Sequence, residues 1–281
     1  MRRFSTRKRN KINLQSLNKK AIKTLVVFII WLIIILFVYF YYIKNAFIKN
    51  IFEKHYTSIS KLNEETVFSL NKIIIFSSAT VNPKELKNGV WNMDVSQYSD
   101  ISIYLNNITN DSSQKNIVKE LYIDNISISD TEYGSPYLYK KSLYDFGKCS
   151  FKEENIFSDR LDFSVISEGK EINYNNSEIL TNLSTPICIG FYNKNIKSDF
   201  LNADSEIEYN GKILKRANIP ITSMSCNVSF CINIINELDE HYVCNVNIDI
   251  PFEDKNYSIY NDGYITQEIN NLDNYKFLRI K

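Results

Sequence analysis

Met224–Ile250 reads MSCNVSFCINIINELDEHYVCNVNIDI, and its alternation decides the fold. Met224, Cys226, Val228, Phe230, Ile232 and Ile234 alternate with Ser225, Asn227, Ser229, Cys231 and Asn233. After Leu238-Asp239-Glu240-His241 the rhythm returns, with Tyr242, Cys244, Val246, Ile248 and Ile250 set against Val243, Asn245, Asn247 and Asp249. In an extended strand, successive side chains point to opposite faces, so a period of two gives one apolar and one wet face. Two such runs joined by a short polar turn predict an antiparallel pair, ended by Pro251.

Working outward, the same period recurs. Lys72–Val81 is a short apolar run. Trp91, Met93 and Val95 alternate with Asn92 and Asp94, and Ile101, Ile103 and Leu105 with Ser102 and Tyr104. In 117–128 the phase breaks, because Leu121 and Ile123 are odd while Ile126 and Ile128 are even. A bulge at Asp124-Asn125 would return both pairs to one face. Strands are expected at Leu161–Val165 and Ile187–Phe191. Asn210-Gly211 between 206–209 and 212–214 predicts a two-residue hairpin, since Asn and Gly accept the positive φ of a type I′ turn. A last hairpin is expected around Asn261-Asp262-Gly263, before a closing strand at Tyr275–Ile280. No segment after residue 71 keeps a helical period. The expectation is a mainly β protein, an antiparallel β-sandwich of jelly-roll type filling 72–281, with 195–205 as the place where it would divide in two. The Cys…Trp…Cys spacing of an immunoglobulin domain is missing.

Upstream the character changes. Thr24–Ile43 (TLVVFIIWLIIILFVYFYYI) holds no charged residue and, as a helix at about 1.5 Å per residue, would span the roughly 30 Å hydrocarbon core of a bilayer. The tail before it, 1–23, carries nine basic and no acidic residues. Removing those nine from the 33 Lys and Arg leaves 24 against 32 acidic residues in the remainder. A basic tail beside a span predicts a cytoplasmic N-terminus and an extracytoplasmic C-terminal part. The run exceeds the apolar region of a signal peptide and leaves through Tyr39, Phe40, Tyr41 and Tyr42 without a small-residue cleavage site, so an uncleaved single-pass anchor in the cell membrane is expected. Residues 44–71 read as a juxtamembrane stalk. The outer part is mildly acidic, which argues against nucleic acid as a partner.

Chemistry leaves few marks. The two histidines, His55 and His241, have no nucleophile nearby in sequence from which a triad could be built. Ser69-Leu-Asn-Lys72 matches S-x-x-K without the partner motifs that give it meaning. Asp94, Asp100, Asp124 and Asp130 border strands and read as solvated acids rather than a calcium site. The five cysteines are Cys149, Cys188, Cys226, Cys231 and Cys244. They show no C-x-x-C spacing and read as free thiols, with a Cys226–Cys244 bridge left open. No cofactor, metal ligand or catalytic residue is assigned, and the chain does not read as an enzyme. The long connection 130–158 gathers Tyr133, Tyr137, Tyr139, Tyr144 and Phe146, an aromatic group suited to stacking on sugar rings or anchoring a protein.

The strings WNMDVSQYSDISIYL (91–105), IVKELYIDNISI (117–128), CNVNIDIP (244–251) and IYNDGYI (259–265), on this tail–span–β layout, resemble a group of uncharacterised single-span membrane-anchored envelope proteins of low-G+C Gram-positive bacteria. Abundant Asn, Ile, Lys, Tyr and Phe, all A/T-rich in their codons, point to the same kind of source. The resemblance implies no activity. The strand pattern of 91–128 is similar to jelly-roll carbohydrate-binding modules at the level of fold. The functional expectation is a non-enzymatic binding or assembly module at the cell envelope with a protein or glycan ligand. The alternatives are a structural subunit of a division- or secretion-type machine, or an envelope hydrolase whose site the sequence does not display.

Overall fold

The computed structural model describes residues 14–39, 67–108, 116–129, 131–152, 159–202, 208–250, 257–272 and 274–280. The chain divides into two compact units, Met1–Leu62 and Asn63–Lys281.

In the first unit, Leu14–Val38 is a helix, α1. Its apolar side chains from Leu25 to Val38 are exposed all round. The charge-free part within the described helix, Thr24–Val38, is about 22 Å long, less than a hydrocarbon core of about 30 Å. Among the described residues no helix is long and apolar enough to cross a membrane. Residues 40–43 of the expected span, residues 1–13 of the tail and residues 44–66 of the expected stalk lie outside the described residues.

The second unit is mainly β and antiparallel. In chain order its strands are β1 (Phe68–Lys87), β2 (Val90–Asn107), β3 (Val118–Ile128), β4 (Ser135–Lys140), β5 (Leu161–Phe163), β6 (Val165–Ile166), β7 (Ile179–Leu180), β8 (Ile187–Asn202), β9 (Cys226–Asn236), β10 (His241–Ile250), β11 (Tyr264–Ile269) and β12 (Leu278–Arg279). One five-stranded sheet runs β11-β1-β2-β8-β4 and the other β12-β10-β9-β3-β5, while β6 and β7 form a small parallel pair. Ile73, Ile101 and Phe191 of the first sheet share one buried cluster with Leu121, Phe230 and Val246 of the second, so the sheets pack face to face.

The expected pair is present. Cys226 faces Ile250 and Ile235 faces His241 in continuous register. Asn236 makes the turn, its Oδ1 accepting from the N–H groups of Leu238 (3.0 Å) and Glu240 (2.9 Å). The β3 bulge is also present. Register shifts between Asp124 and Ser127, Asn125 adopts φ 50°, and Ile126 and Ile128 pack against the main core.

Other readings need correction. The first strand begins at Phe68, inside the segment assigned to the stalk, because Phe68 inserts its ring beside Tyr242 and Phe277. Asn210-Gly211 does not turn a hairpin. It leads into a short helix, α2 (Ile213–Arg216), with Asn210 Oδ1 accepting from Lys212 N (3.0 Å). Gly211 is needed for close approach: a Cβ there would meet Ile259 Cγ1 at 2.6 Å and the Gly263 carbonyl oxygen closer still. Asn261-Asp262-Gly263 is likewise no hairpin but the end of a helical turn, α3 (Ser258–Asp262), with Gly263 at φ 88° as its left-handed cap. The Asn-Gly hairpin of this fold is at Asn88 (φ 53°) and Gly89 (φ 74°), where Lys87 pairs with Val90.

The ends of β1, β2 and β8 run past the main core and build a second one. Ala79, Val81, Met93, Val95 and Ile196 pack there against Ile213 and Leu214 of α2, Ile221, Met224 and Ile259 of α3.

Candidate functional site

The first sheet turns Tyr98, Asp100 and Ser102 of β2, Cys188, Gly190 and Tyr192 of β8, and Tyr137 and Tyr139 of β4 away from the core, by the parity of the buried Ile101, Ile189 and Leu138 between them. This face is not wet. The chain leaving β4 folds back across it as a strap, 141–151. Lys141 Nζ forms an ion pair with Asp100 Oδ1, and neither side chain has exposed surface. Lys141 also donates to the Lys148 carbonyl, and Asp100 Oδ2 accepts from Gly147 N at 2.5 Å. Gly147, at φ 80°, turns its N–H toward the carboxylate. Burial pushes the Asp100 carboxyl above its ordinary range, opposed by the Lys141 charge and the Gly147 hydrogen bond. Asp100 is therefore no solvated strand-end acid. Asp94 pairs with Lys84 at 2.6 Å and Asp124 accepts from Asn233 Nδ2 at 2.7 Å, while Asp130 lies outside the described residues.

Aromatic rings close the far end of the strap. Phe151 stacks on Tyr192 (4.3 Å between centroids, 8° between planes) and meets the edge of Tyr139 at 5.5 Å. Tyr139 lies flat on the sheet because residue 190 is glycine: a Cβ there would come within 2.6 Å of the Tyr139 hydroxyl. Burial raises the Tyr139 phenol well above its ordinary pKa.

Beside the strap, its outer edge and the 164–177 segment enclose a cleft of about 490 Å³, lined by Tyr139, Ser142, Asp145, Ser150, Asn175 and Ser177 among others. The walls are tied together where Ser177 Oγ donates to the Lys141 carbonyl (2.7 Å). Each wall is set by local capping: Ser142 Oγ accepts from Tyr144 N (3.1 Å) and Asn173 Oδ1 from Asn175 N (3.1 Å). Hydroxyls, amides, one carboxylate and the lysines Lys140, Lys141 and Lys152 thus converge in a hollow of small-ligand size.

The five aromatics expected as a binding group are not one platform. Tyr137 and Tyr139 converge through Phe151, with Tyr137 6.0 Å from it. Phe146 turns to Phe76 at 6.1 Å. Tyr144 is exposed under the Lys148 ammonium (4.7 Å), and Tyr133 is exposed on the connection. Of the five, Tyr139 lines the cleft. Sequence reading missed Asp100, Lys141, Phe151 and Tyr192. The available signal was that Tyr98, Asp100, Ser102 and Tyr104 share one parity, opposite to Ile101 and Ile103.

The second sheet carries a different surface. Its wet face holds a chain of side-chain hydrogen bonds: His241 Nε2 with Asn233 Oδ1 (2.9 Å), Asn233 Nδ2 to Asp124, and Cys231 Sγ to Asn245 Oδ1 (2.8 Å). Asn227 bonds Asn247 and Asp249 across the strands. The Arg160 guanidinium sits 3.6 Å from the Tyr122 ring centre.

All five cysteines are free. A Cys226–Cys244 bridge is excluded by register, because Cys226 faces Ile250 and Cys244 faces Ile232. Ser69 and Lys72 of the S-x-x-K match lie on β1, where Lys72 is held by Glu268 (3.8 Å) and the Tyr104 ring. Among the described residues no group of three or more His, Cys, Asp or Glu could hold a metal ion.

Comparison with known proteins returns no matching family model, no matching curated protein and no matching solved structure.

Proposed function

We propose that this chain is a single-pass envelope protein that displays a jelly-roll-like β-sandwich outside the cell membrane and binds a glycan there, without catalysing a reaction. The observation that carries the proposal is the cleft of about 490 Å³ beside the strap. Its serine hydroxyls, asparagine amides and Asp145 carboxylate match the donors and acceptors of sugar hydroxyls, and Lys140 and Lys152 on the same lining add charged donors. Sites on rigid, capped segments hold such groups in place before binding, which lowers the entropy lost on association.

The anchor rests on the charge-free run Thr24–Ile43 and on the apolar side chains exposed all round α1, which lipid would cover. The orientation rests on the basic tail. The repeated crossing of the chain between the two sheets, β2 to β3, β3 to β4 and β4 to β5, supports the jelly-roll-like reading.

The test is a glycan array probed with the full-length chain in detergent, followed by calorimetry with Asn175→Ala and Ser177→Ala variants. Binding that those variants weaken supports the reading, and an array without hits overturns it. A C-terminal reporter active in the cytoplasm would overturn the orientation. A second reading, a subunit of an envelope machine, is favoured by the ordered amide and carboxylate array on the second sheet, which suits docking against another protein. Recovery of a stoichiometric protein partner lost in an Asn233→Ala, Asn245→Ala variant would select it.

A further inference from the structure

Three strands cross from the main core to the smaller one, and each carries polar residues where it crosses. On β1, Ser77 stands between Ile75 and Ala79. On β2, Ser99 and Gln97 stand between Ile101 and Val95. On β8, Asn193 stands between Phe191 and Ile196. Ser77, Ser99 and Gln97 share the inward parity of their apolar neighbours and Asn193 that of Phe191, the phase changing before Ile196 at a register shift; all four are almost completely buried, with Ser77 1%, Ser99 0%, Gln97 1% and Asn193 0% exposed. They are also neighbours by register, since Ser77 faces Ser99, and Gln97 faces Ala79 on one side and Asn193 on the other.

The belt is half satisfied. Ser77 and Ser99 share a hydrogen bond of 2.6 Å, and Asn193 Nδ2 donates to the Tyr133 carbonyl at 3.0 Å. Both amide atoms of Gln97 and the Oδ1 of Asn193 have no hydrogen-bond partner. An unpaired buried amide is costly, and the two residues face each other by register across one strand pair, with Asn193 Oδ1 lying against Gly134. Gln97 presents donors and an acceptor at once. A ligand that both donates and accepts, and is small enough to sit between two opposed side chains, meets every one of these demands.

We propose that the seam between the two cores is an internal hydration site, in which ordered water bridges Gln97 and Asn193. Water held there replaces apolar contact at Gln97 and Asn193, beside the direct Ser77–Ser99 hydrogen bond. The smaller core, 79–95 with 213–224 and Ile259, is therefore joined to the larger by a wet layer and opens separately from it.

The proposal is tested on the full-length chain by water-to-side-chain cross-relaxation in NMR. Long-lived water contacts to the Gln97 and Asn193 amide groups support it, and their absence overturns it. Gln97→Met gives a second readout. If water pairs these amides, the variant strands Asn193 Oδ1 and lowers the melting midpoint by about 2–4 °C. If the amides are dry and unpaired, removing one raises the midpoint and overturns the proposal. In hydrogen exchange of the unmodified protein, amides of the smaller core exchange ahead of those in β9 and β10. Exchange of both cores as one unit would count against a wet seam.

Discussion

Lys141 and Asp100, forty-one positions apart, form an ion pair with no exposed surface on either side chain. The pair clamps the strap to the face of the first sheet, and each partner holds a second bond to the strap backbone. Removing one partner leaves the other charged and dry. Asp100→Leu or Lys141→Met alone is expected to lower stability by about 3–5 kcal/mol, while the double variant recovers most of the loss, because two apolar side chains tolerate the same burial. Denaturant titration of the four proteins forms the cycle. Additive losses would show that the two groups act independently.

The same carboxylate has an unusual pH signature. Its pKa is raised in the folded protein above 3.8, chiefly by burial, so the folded chain holds this proton more tightly than the unfolded one. Its contribution to stability is greatest below about 3.8 and declines as pH rises through the raised folded value. Asp100 therefore opposes ordinary acid denaturation. The stability difference between wild type and Asp100→Asn, followed from pH 3 to pH 6, is expected to move against the wild type as pH rises. A difference that moves the other way would refute the assignment.

Alkali acts on the thiols with the same sign. Burial pushes Cys188, Cys226 and Cys244 up to about 12 from an ordinary value near 9.0. Their neutral forms stabilise the fold fully below 9 and that contribution is lost as pH rises toward 12. Replacing Cys226 and Cys244 with Val is expected to flatten the fall in stability between pH 9 and pH 11, and an unchanged slope would exclude these thiols as its source.

Cys149 is exposed and the other four cysteines are buried. Burial of its sulfur holds the Cys149 thiol above its ordinary value, so a thiol reagent applied to the native chain at alkaline pH is expected to modify this one cysteine first and four more only after denaturant is added. Peptide mapping should place the fast adduct at Cys149. Mobility on a gel should not change on reduction of the monomer.

Gly190 and Tyr139 are matched by shape. Gly190→Ala is expected to cost about 1–3 kcal/mol, since its methyl would enter the space of the Tyr139 ring. Combining it with Tyr139→Leu should recover part of that loss, and a fully additive pair would show that the ring is not what the methyl meets.

Much of this was legible where local pattern and tertiary demand agree. The β9–β10 pair alternates strictly because one face meets the core and the other meets water, and the β3 bulge announced itself as a change of parity. The two expected hairpins that are absent have one cause. Asn210-Gly211 and Asn261-Asp262-Gly263 carry turn chemistry, but they are used against each other: a Cβ on Gly263 would come within 2.7 Å of Asn210. Contacts between segments fifty residues apart leave no local trace. The real type I′ turn at Asn88-Gly89 had the identical dipeptide and lay between Leu86-Lys87 and Val90-Trp91, whose short apolar alternation is weak. The ion pair was invisible for a further reason. Asp100 occupies a polar-parity position, where an acid ordinarily meets water, and only the strap makes that position dry.

One consequence of the strand order concerns biosynthesis. β1 is the first strand among the described residues, yet its outer partner is β11, with Ile73 facing Ile269, and Ser69 bridges Lys276. The β1–β2 hairpin is local, but its two flanks are covered by β8 and β11, both far downstream in the chain. One edge of β1 thus stays unpaired until β11 has emerged, and it needs protection from pairing with its neighbours until then.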